Sequence, residues 1–181
     1  MVKFDVILQS LLVTTLGEHK VRGIVNVERA AKDGAEIGGH PLSGHVDFRS
    51  AIIEISEQEG NCRVRIELPK KWQKYVFPKG YIAINGASLT VSEVCKESGY
   101  FEVWLIPETR RMTTFEEKEP GASVNIEIER GIQVVVDTIQ TTLEENLGKL
   151  YPLIEQLLQA NNIDLNALVN SKLALSQTTQ S

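Results

Sequence analysis

The sequence lacks the features that mark nucleic-acid-binding, membrane and disulfide-rich proteins. Its 181 residues carry a formal net charge of -5, so the basic excess that a broad nucleic-acid or anionic-membrane surface needs is missing. No stretch approaches the roughly 18 uninterrupted apolar residues of a membrane helix. Only two cysteines are present, Cys62 and Cys95, and we interpret both as buried free thiols in a reducing cytosol.

The amino-terminal stretch also lacks the signature of a signal peptide. Its short apolar run contains Asp5 and Gln9, and no small-residue cleavage site follows. We therefore interpret residues 3–8 as a strand and expect a cytoplasmic protein. Hydrophobic residues make up 42% and charged residues 24% of the chain, a balance typical of globular proteins with a sizeable core.

What is present, up to about residue 130, is the alternation of apolar and polar residues typical of antiparallel strands. Every second residue is apolar between Cys62 and Leu68 and between Val124 and Glu129, which predicts strands with one buried face. Similar runs, separated by glycine, asparagine and proline turns, occur at 3–8, 22–29, 45–57, 81–84, 88–95 and 100–106. The pattern predicts an antiparallel barrel or sandwich, with helices only near residues 70–75 and after about residue 133.

The last part of the chain has helical spacing instead. Apolar residues recur three or four positions apart over residues 139–150. A break is predicted between Gly148 and Pro152, followed by a second apolar stripe over residues 153–158 and a third short helix over residues 164–172. The final residues, 176–181, are predicted to be disordered.

An internal repeat relates residues 3–29 to residues 100–130. The matching stretches are Phe4-Asp5-Val6 with Phe101-Glu102-Val103, Thr14-Thr15 with Thr113-Thr114, and Val25-Asn26-Val27-Glu28 with Val124-Asn125-Ile126-Glu127. Strands at about 45–95 come before the second copy, whereas nothing comes before the first. We therefore expect a duplicated domain whose first copy has lost its front part.

The first of three polar clusters contains two of the three histidines. It runs from Gly38 to His45, and Asp47 follows two residues later. One interpretation is a metal site of His40, His45 and Asp47. The other is a structural glycine turn with incidental histidines, in which the glycines let the backbone approach something closely.

The other two clusters carry hydroxyl groups and a proline. Ser88 and Thr90 share one side of a strand, which we place on the inner face of the barrel, near its mouth. They either pair with each other or the backbone, or they bind a heteroaromatic ligand. In the third cluster, Trp104 to Thr109, Pro107 ends or bulges a strand and frees backbone groups. That cluster is either an ordinary strand end or a surface for a flat ligand.

Four ordered stretches of the sequence resemble alpha-type riboflavin synthase. They are VNVERAAKDGAEIGGHPLSGHVD, YIAINGASLTVSEV, LIPETRRMTT, and VNIEIER with VVVDT, and the likeness extends from about residue 3 to about residue 148. The resemblance implies a mainly β fold, a six-stranded antiparallel Greek-key barrel with C-terminal α-helices. The domains it implies are a remnant of a first lumazine-binding barrel (1–26), a complete second barrel (27–132), a helical segment for oligomerisation (133–175) and a disordered tail (176–181).

The resemblance also implies an activity. Riboflavin synthase is a transferase that dismutates two molecules of 6,7-dimethyl-8-ribityllumazine into riboflavin and 5-amino-6-ribitylamino-pyrimidinedione, with no metal or organic cofactor. It implies a homotrimer whose active site lies between the first barrel of one subunit and the second barrel of its neighbour. The alternative is a non-catalytic lumazine- or flavin-binding protein or an inactive fragment, because the family's Phe-Thr-Gly-Ile-Val start and the first barrel's Asn-Gly-Cys strand are absent here.

The site residues follow from the same resemblance. The catalytic residues it implies are His45, Ser88, Thr90 and Glu129, the last of which stands where the family usually has an aspartate. Such hydroxyl, imidazole and carboxylate groups can relay protons from the 7-methyl group of the lumazine. The substrate contacts it implies are Gly44, His45, Val46, Lys79, Ser88, Leu89, Thr90, Trp104, Leu105, Ile106, Pro107, Glu108 and Thr109, with Asp5, Val6, Ile7, Leu8, Gln9 and Ser10 as the remnant of a first site. We expect neither a nucleic acid nor a membrane as a partner.

Overall fold

The computed structural model describes residues 3–161 and is built around a closed barrel of six antiparallel strands. The strands are β1 (Phe48–Gln58), β2 (Asn61–Glu67), β3 (Tyr81–Ile84), β4 (Ala87–Cys95), β5 (Tyr100–Leu105) and β6 (Ser123–Ile128). Their order around the barrel is β1-β2-β5-β4-β3-β6, and β6 closes the barrel against β1. The six-stranded antiparallel barrel predicted from the sequence is confirmed.

The barrel interior holds the apolar residues of the alternating pattern. On β4, Leu89 and Val91 are buried, and because side chains alternate along a strand, Ser88 and Thr90 point to the outer face. The prediction that these hydroxyls lie on the inner face is therefore wrong, since the larger apolar side chains occupy the interior. The buried core comprises Phe48, Ile52, Cys62, Val64, Ile66, Leu68, Val76, Ile82, Ile84, Leu89, Val91, Phe101, Val103, Leu105, Phe115, Val124, Ile126 and Ile128.

A tight hairpin sets the position of Ser88. Asn85 and Gly86 join β3 to β4 with φ angles of 50° and 80°, the two positive values that a type I′ turn requires. The backbone N–H of Asn85 donates to the carbonyl of Asn125 at 2.9 Å, and the N–H of Asn125 donates to Asn85 Oδ1 at 2.8 Å. The turn is thus fastened to β6, and β4 starts from a fixed point.

The two copies of the internal repeat share a local structure that the sequence did not predict. Helix α1 (Leu8–Val13) and a 3-10 turn (Thr15–Glu18) in the first copy match helix α2 (Pro107–Met112) and a 3-10 turn (Thr114–Glu117) in the second, at a constant offset of 99 residues. In each copy a threonine between the two elements accepts a hydrogen bond from the backbone two residues later. The prediction of helices only near residues 70–75 and after residue 133 is wrong, although a 3-10 turn does occupy Lys70–Trp72.

The strands predicted at residues 3–8 and 22–29 are not formed. In the second copy, Phe101 and Val103 pair with β2 and β4 and are fully buried. Their counterparts Phe4 and Val6 have no paired strand in the part of the chain that the structure describes, and both are exposed. Alternation makes a segment fit to be a strand, but a strand also needs a neighbour to hydrogen-bond with.

One long helix, α3 (Arg130–Ala160), follows the barrel. It contains Pro152, so the break predicted there is wrong; the helix predicted at residues 164–172 and the tail at 176–181 lie outside the described residues. The chain divides into two compact units between Val136 and Asp137. None of the helices in residues 3–161 has the length and apolarity needed to cross a membrane.

Candidate active site on the outer face of the barrel

Three neighbouring strands place a carboxylate and a hydroxyl on the outer face. Ala83 of β3 pairs with Glu127 of β6 on one side and with Ser88 of β4 on the other. The three residues therefore form a row across the strands, with Glu127 and Ala83 buried although they face outward. Residues 39–44, which we call the covering segment, cross the row through contacts with Ser88 and Glu127, and Ser88 is partly buried.

His40 of the covering segment is joined to Ser88 by two hydrogen bonds. The backbone N–H of His40 donates to Ser88 Oγ at 3.1 Å, and Nδ1 of its imidazole lies 2.6 Å from the same oxygen. The ring stacks on Tyr81, with 5.2 Å between centroids and 18° between planes. Because the backbone N–H occupies one lone pair of Ser88 Oγ, the hydroxyl proton can point towards Nδ1.

Gly39 makes this approach possible. Its φ is +90°, and a Cβ added to it would lie 2.3 Å from Ser88 Oγ and 2.6 Å from Ser88 Cβ. No other residue fits this position without moving β4 or the covering segment. The glycine pair seen in the sequence therefore serves the contact between His40 and Ser88.

The surroundings of His40 favour the neutral form of its imidazole, which can act as a base. Burial lowers its pKa, and the negative charges of Glu129 and Glu127 offset part of that effect. Only 4% of the residue is exposed, and its Nε2 atom has no hydrogen-bond partner among the described residues. A neutral imidazole bonded to a serine hydroxyl can accept the hydroxyl proton.

The other end of the covering segment is bound by Glu127. Oε1 of Glu127 accepts hydrogen bonds from the backbone N–H of Ser43 at 2.6 Å and from Ser43 Oγ at 2.8 Å. The backbone N–H of Gly44 contacts both carboxylate oxygens, at 3.2 and 3.1 Å. These contacts place Gly44 and the exposed side chain of His45 beside the row.

Next to the covered row the same face is open. Tyr81 pairs with Thr90, and Val91 pairs with Val103, so Thr90 and Trp104 occupy neighbouring outward positions. The backbone of Lys79 is tied to Val91 by a 2.7 Å hydrogen bond. Thr90, Lys79 and Trp104 are all exposed, so this part of the face can contact a ligand.

Comparison with known proteins identifies the family. The lumazine binding domain matches residues 43–129. Riboflavin synthase of Escherichia coli (strain K12) is 45% identical over 143 residues, which cover 78% of this chain and 66% of that protein. Riboflavin synthase of Chlamydia pneumoniae is 46% identical over 140 residues, covering 77% and 67%. For riboflavin synthase of Buchnera aphidicola subsp. Schizaphis graminum the identity is 38% over 154 residues, covering 83% and 72%.

This chain belongs to the riboflavin synthase family. It spans about two thirds of the length of the riboflavin synthases it matches. Among solved structures, LumP complexed with 6,7-dimethyl-8-(1'-D-ribityl) lumazine has a TM-score of 0.59 at 24% identity, covering 67% of this chain and 64% of LumP. LumP complexed with riboflavin has a TM-score of 0.59 at 23% identity, covering 67% and 65%. At these identities the likeness shows the fold, which is the barrel described above.

The remaining site residues that the riboflavin synthase resemblance implied lie in several different environments. Leu89 and Leu105 are buried in the core, so any contact they make with a ligand is through their backbone. Glu129 accepts hydrogen bonds from the backbone of Gly131 and Ile132 and so caps the start of α3. Val46 is partly buried before β1, Ile106 precedes α2 and residues 107–109 form its first turn, and residues 5–10 are mostly exposed on and before α1.

Three residues of the candidate site make contacts that the sequence does not predict. The sequence indicates His40 only as a metal ligand or an incidental histidine, Tyr81 only as part of a strand, and Glu127 only as part of the repeat. A metal site is not formed, because no suitable group of three ligands exists among residues 3–161. His40 is bonded to Ser88, and Asp47 accepts from the backbone of Ile128 and from Gln133. The one sequence signal for His40 was the glycine pair before it.

A cleft of about 750 Å³ adjoins the covering segment. It is lined by residues 26–31, 35–38, 40–44 and 85–87, with Met112, Thr113 and Glu127. Of the substrate contacts that the family resemblance implied, it includes Gly44 alone. Thr90 and Trp104 therefore lie outside this cleft, on the open face, and Ser88 lies outside it in the covered row.

The two repeats of this riboflavin synthase family member also exchange hydrogen bonds. Asn125 Oδ1 accepts from the backbone of Thr15 at 2.7 Å, and Asn26 Oδ1 accepts from the backbone of Thr114 at 2.8 Å. The two asparagines, like the two threonines, are 99 residues apart, so each repeat holds the turn of the other. Asn26 also donates to the carbonyl of Asn85 at 2.8 Å, which links the first repeat to the hairpin before Ser88.

Proposed function

We propose that this chain catalyses the dismutation of two 6,7-dimethyl-8-ribityllumazine molecules into riboflavin and 5-amino-6-ribitylamino-pyrimidinedione. The observation that carries the proposal is the contact of the buried imidazole of His40 with Ser88 beside an open face. The family's known activity and the 37–46% identity to curated riboflavin synthases support it.

The pair of His40 and Ser88 suits the first proton transfer. The reaction needs a base that removes a proton from the 7-methyl group of a lumazine. Ser88 can take that proton while it passes its own to Nδ1 of His40, 2.6 Å away. Glu129 and Glu127, whose charges oppose the effect of burial on the pKa of His40, then stabilise the imidazolium that forms.

The open face suits the ring and the polar side chain of the lumazine. We propose that the exposed indole of Trp104 contacts the flat heterocycle, because aromatic faces stack on one another. Thr90 lies beside it and offers a hydroxyl, and Lys79 offers an ammonium group at the edge of β4. His45 would complete the site from the end of the covering segment.

The dismutation needs two lumazines, so we also propose that the chain works as an oligomer, a homotrimer as in the family, in the cytoplasm. Several apolar residues of α3 are exposed, at spacings of three to four residues. They are Ile139, Leu143, Leu147, Leu150, Leu153, Ile154 and Leu157. A helix with such a stripe gains stability by packing against other copies.

One observation favours a second function, lumazine or flavin binding without turnover. LumP, which has the same fold, is seen in complex with 6,7-dimethyl-8-ribityllumazine, riboflavin and flavin mononucleotide. The open face described here could bind such a ring whether or not catalysis follows. Binding and turnover must therefore be measured separately.

The test is riboflavin formation from 6,7-dimethyl-8-ribityllumazine, followed by fluorescence, together with lumazine affinity. We expect turnover by the wild-type chain and a loss of about 100-fold or more in Ser88→Ala, as for a group that transfers a proton. Ser92→Ala is the matched control, because Ser92 lies further along β4 and its hydroxyl donates to the carbonyl of Glu102. A wild-type chain that binds lumazine and forms no riboflavin would establish the binding function instead.

A further inference from the structure

Glu127 is a buried carboxylate whose hydrogen-bond partners are all uncharged. Only 7% of the residue is exposed. Its hydrogen-bond donors are the backbone N–H groups of Ser43 and Gly44 and the hydroxyl of Ser43. Burial of a charged group is costly unless its lone pairs are satisfied. The Glu127 carboxylate therefore depends on the Ser43–Gly44 turn for its hydrogen bonds, and this turn depends on Glu127 for its attachment to β6.

The turn that Glu127 binds is shaped for an anion. Gly44 has a φ of +77°, and the successive N–H groups of Ser43 and Gly44 converge on the carboxylate. Backbone turns with such converging N–H groups form nests that favour negative charge. Without Glu127 the two backbone donors of this turn would lose their protein partner, and the turn would lose its attachment to β6.

We propose that Glu127 is a positioning residue of the active site, which holds the Ser43–Gly44 turn against β6 and so fixes the histidines on either side of it. This inference rests on the proposed function for its effect on turnover. His40 lies three residues before the turn and His45 directly follows it. Glu127 itself makes no contact with substrate in this proposal and acts through the covering segment.

The charge of Glu127 gives the proposal a second, separable consequence. The groups that face His40 are Tyr81 from β3, Ser88 from β4, Glu127 from β6 and Glu129 after β6. The Glu127 charge raises the pKa of His40 against the larger effect of burial. Replacing it by a neutral residue therefore lowers that pKa further, and His40 stays neutral to a lower pH.

The experiment compares three variants of the full chain. Glu127→Gln removes the charge but keeps a carbonyl that can accept from the turn, whereas Glu127→Ala removes both. Glu28→Gln is the matched control, because Glu28 occupies the equivalent position in the first repeat and is exposed. The readouts are hydrogen exchange of the Ser43 and Gly44 amides, NMR titration of ¹⁵N-labelled His40 assigned with His40→Gln, and the pH profile of riboflavin formation.

In Glu127→Ala we expect faster exchange of both amides and a turnover lower by about tenfold or more, as for displaced catalytic groups. In Glu127→Gln we expect a lower titration midpoint for His40 and an acidic limb of the rate profile moved to lower pH. A residue that only stabilised the barrel would lower turnover at every pH without moving that limb. Glu28→Gln should match the wild type in all three readouts.

Two results would overturn the proposal. One is wild-type amide exchange and an unchanged His40 titration in Glu127→Ala. The other is a Glu127→Ala variant whose amide exchange and His40 titration both change while its kcat and KM for riboflavin formation stay at wild-type values. Failure of the proposed function looks different, because a wild-type chain without riboflavin formation would still report on the turn and on His40 through exchange and titration.

Discussion

Replacing Gly39 by alanine tests whether the missing side chain is what lets His40 reach Ser88. The new Cβ would lie 2.3 Å from Ser88 Oγ, on a backbone with a φ of +90°. The left-handed conformation costs an alanine about 1–2 kcal/mol. The two hydrogen bonds between His40 and Ser88, which break when the overlap is relieved, contribute about 0.5–1.5 kcal/mol each. Lifting the covering segment, which carries no strand, relieves the overlap and costs only these two hydrogen bonds, about 1–3 kcal/mol in all, so the segment should lift before the barrel unfolds.

Two neighbouring glycines provide graded controls for this variant. A Cβ at Gly38 meets no atom within 4 Å and its φ is not positive, while Gly44 has open space but a φ of +77°. Turnover should therefore fall least in Gly38→Ala, more in Gly44→Ala and most in Gly39→Ala. Because burial lowers the pKa of His40, its exposure in Gly39→Ala should raise that pKa towards the ordinary value, as NMR titration would show. The same His40 titration in Gly39→Ala and Gly38→Ala would refute this reasoning.

Three more outcomes are expected. Thr90→Val should weaken riboflavin or lumazine binding by about 0.5–1.5 kcal/mol, one lost hydrogen bond, in a fluorescence titration, and unchanged affinity would remove Thr90 from the site. Asn125→Ala should speed hydrogen exchange of the Thr15 amide, and an unchanged rate would contradict the cross-repeat bond. Because the pKa of His40 is lowered below its ordinary value of 6.5, the unfolded chain binds the proton more readily between those two values. Stability against urea should therefore fall as pH decreases through that window in the wild type, and His40→Gln should lack this part of the loss.

The barrel was predictable because its signal is local and repeated. Each strand of a closed barrel buries one face, so alternation over stretches such as residues 62–68 and 124–129 reports the fold directly. The same alternation over residues 3–8 and 22–29 gave wrong strands, because pairing depends on a partner that no local pattern reveals. Helices α1 and α2 are only six residues long, too short to show a helical period.

The candidate site was predictable only in part, because its central contact joins distant residues. His40 and Ser88 are 48 residues apart in the chain, and their contact depends on the barrel, on the left-handed backbone of Gly39 and on Glu127 at the other end of the covering segment. The strand pattern singles out Ser88 and Thr90, the family resemblance implies their catalytic role, and the structure corrects the face on which they lie. The resemblance singles out His45, whereas burial and hydrogen bonding in the structure distinguish His40.

The exchange of hydrogen bonds between the repeats has a consequence for how this sequence can change over time. Asn26 holds Thr114 and Asn125 holds Thr15, which is the reciprocity of a twofold-symmetric interface made within one polypeptide. A substitution at either asparagine removes a hydrogen bond from the turn of the opposite repeat, so the two repeats do not evolve independently at these positions. Nδ2 of Asn125 also donates to Thr15 Oγ1 at 3.0 Å, whereas Thr114 contributes its backbone N–H to Asn26. Sequence variation at 15 and 125 should therefore be correlated across relatives, in a pair that crosses the duplication rather than follows it.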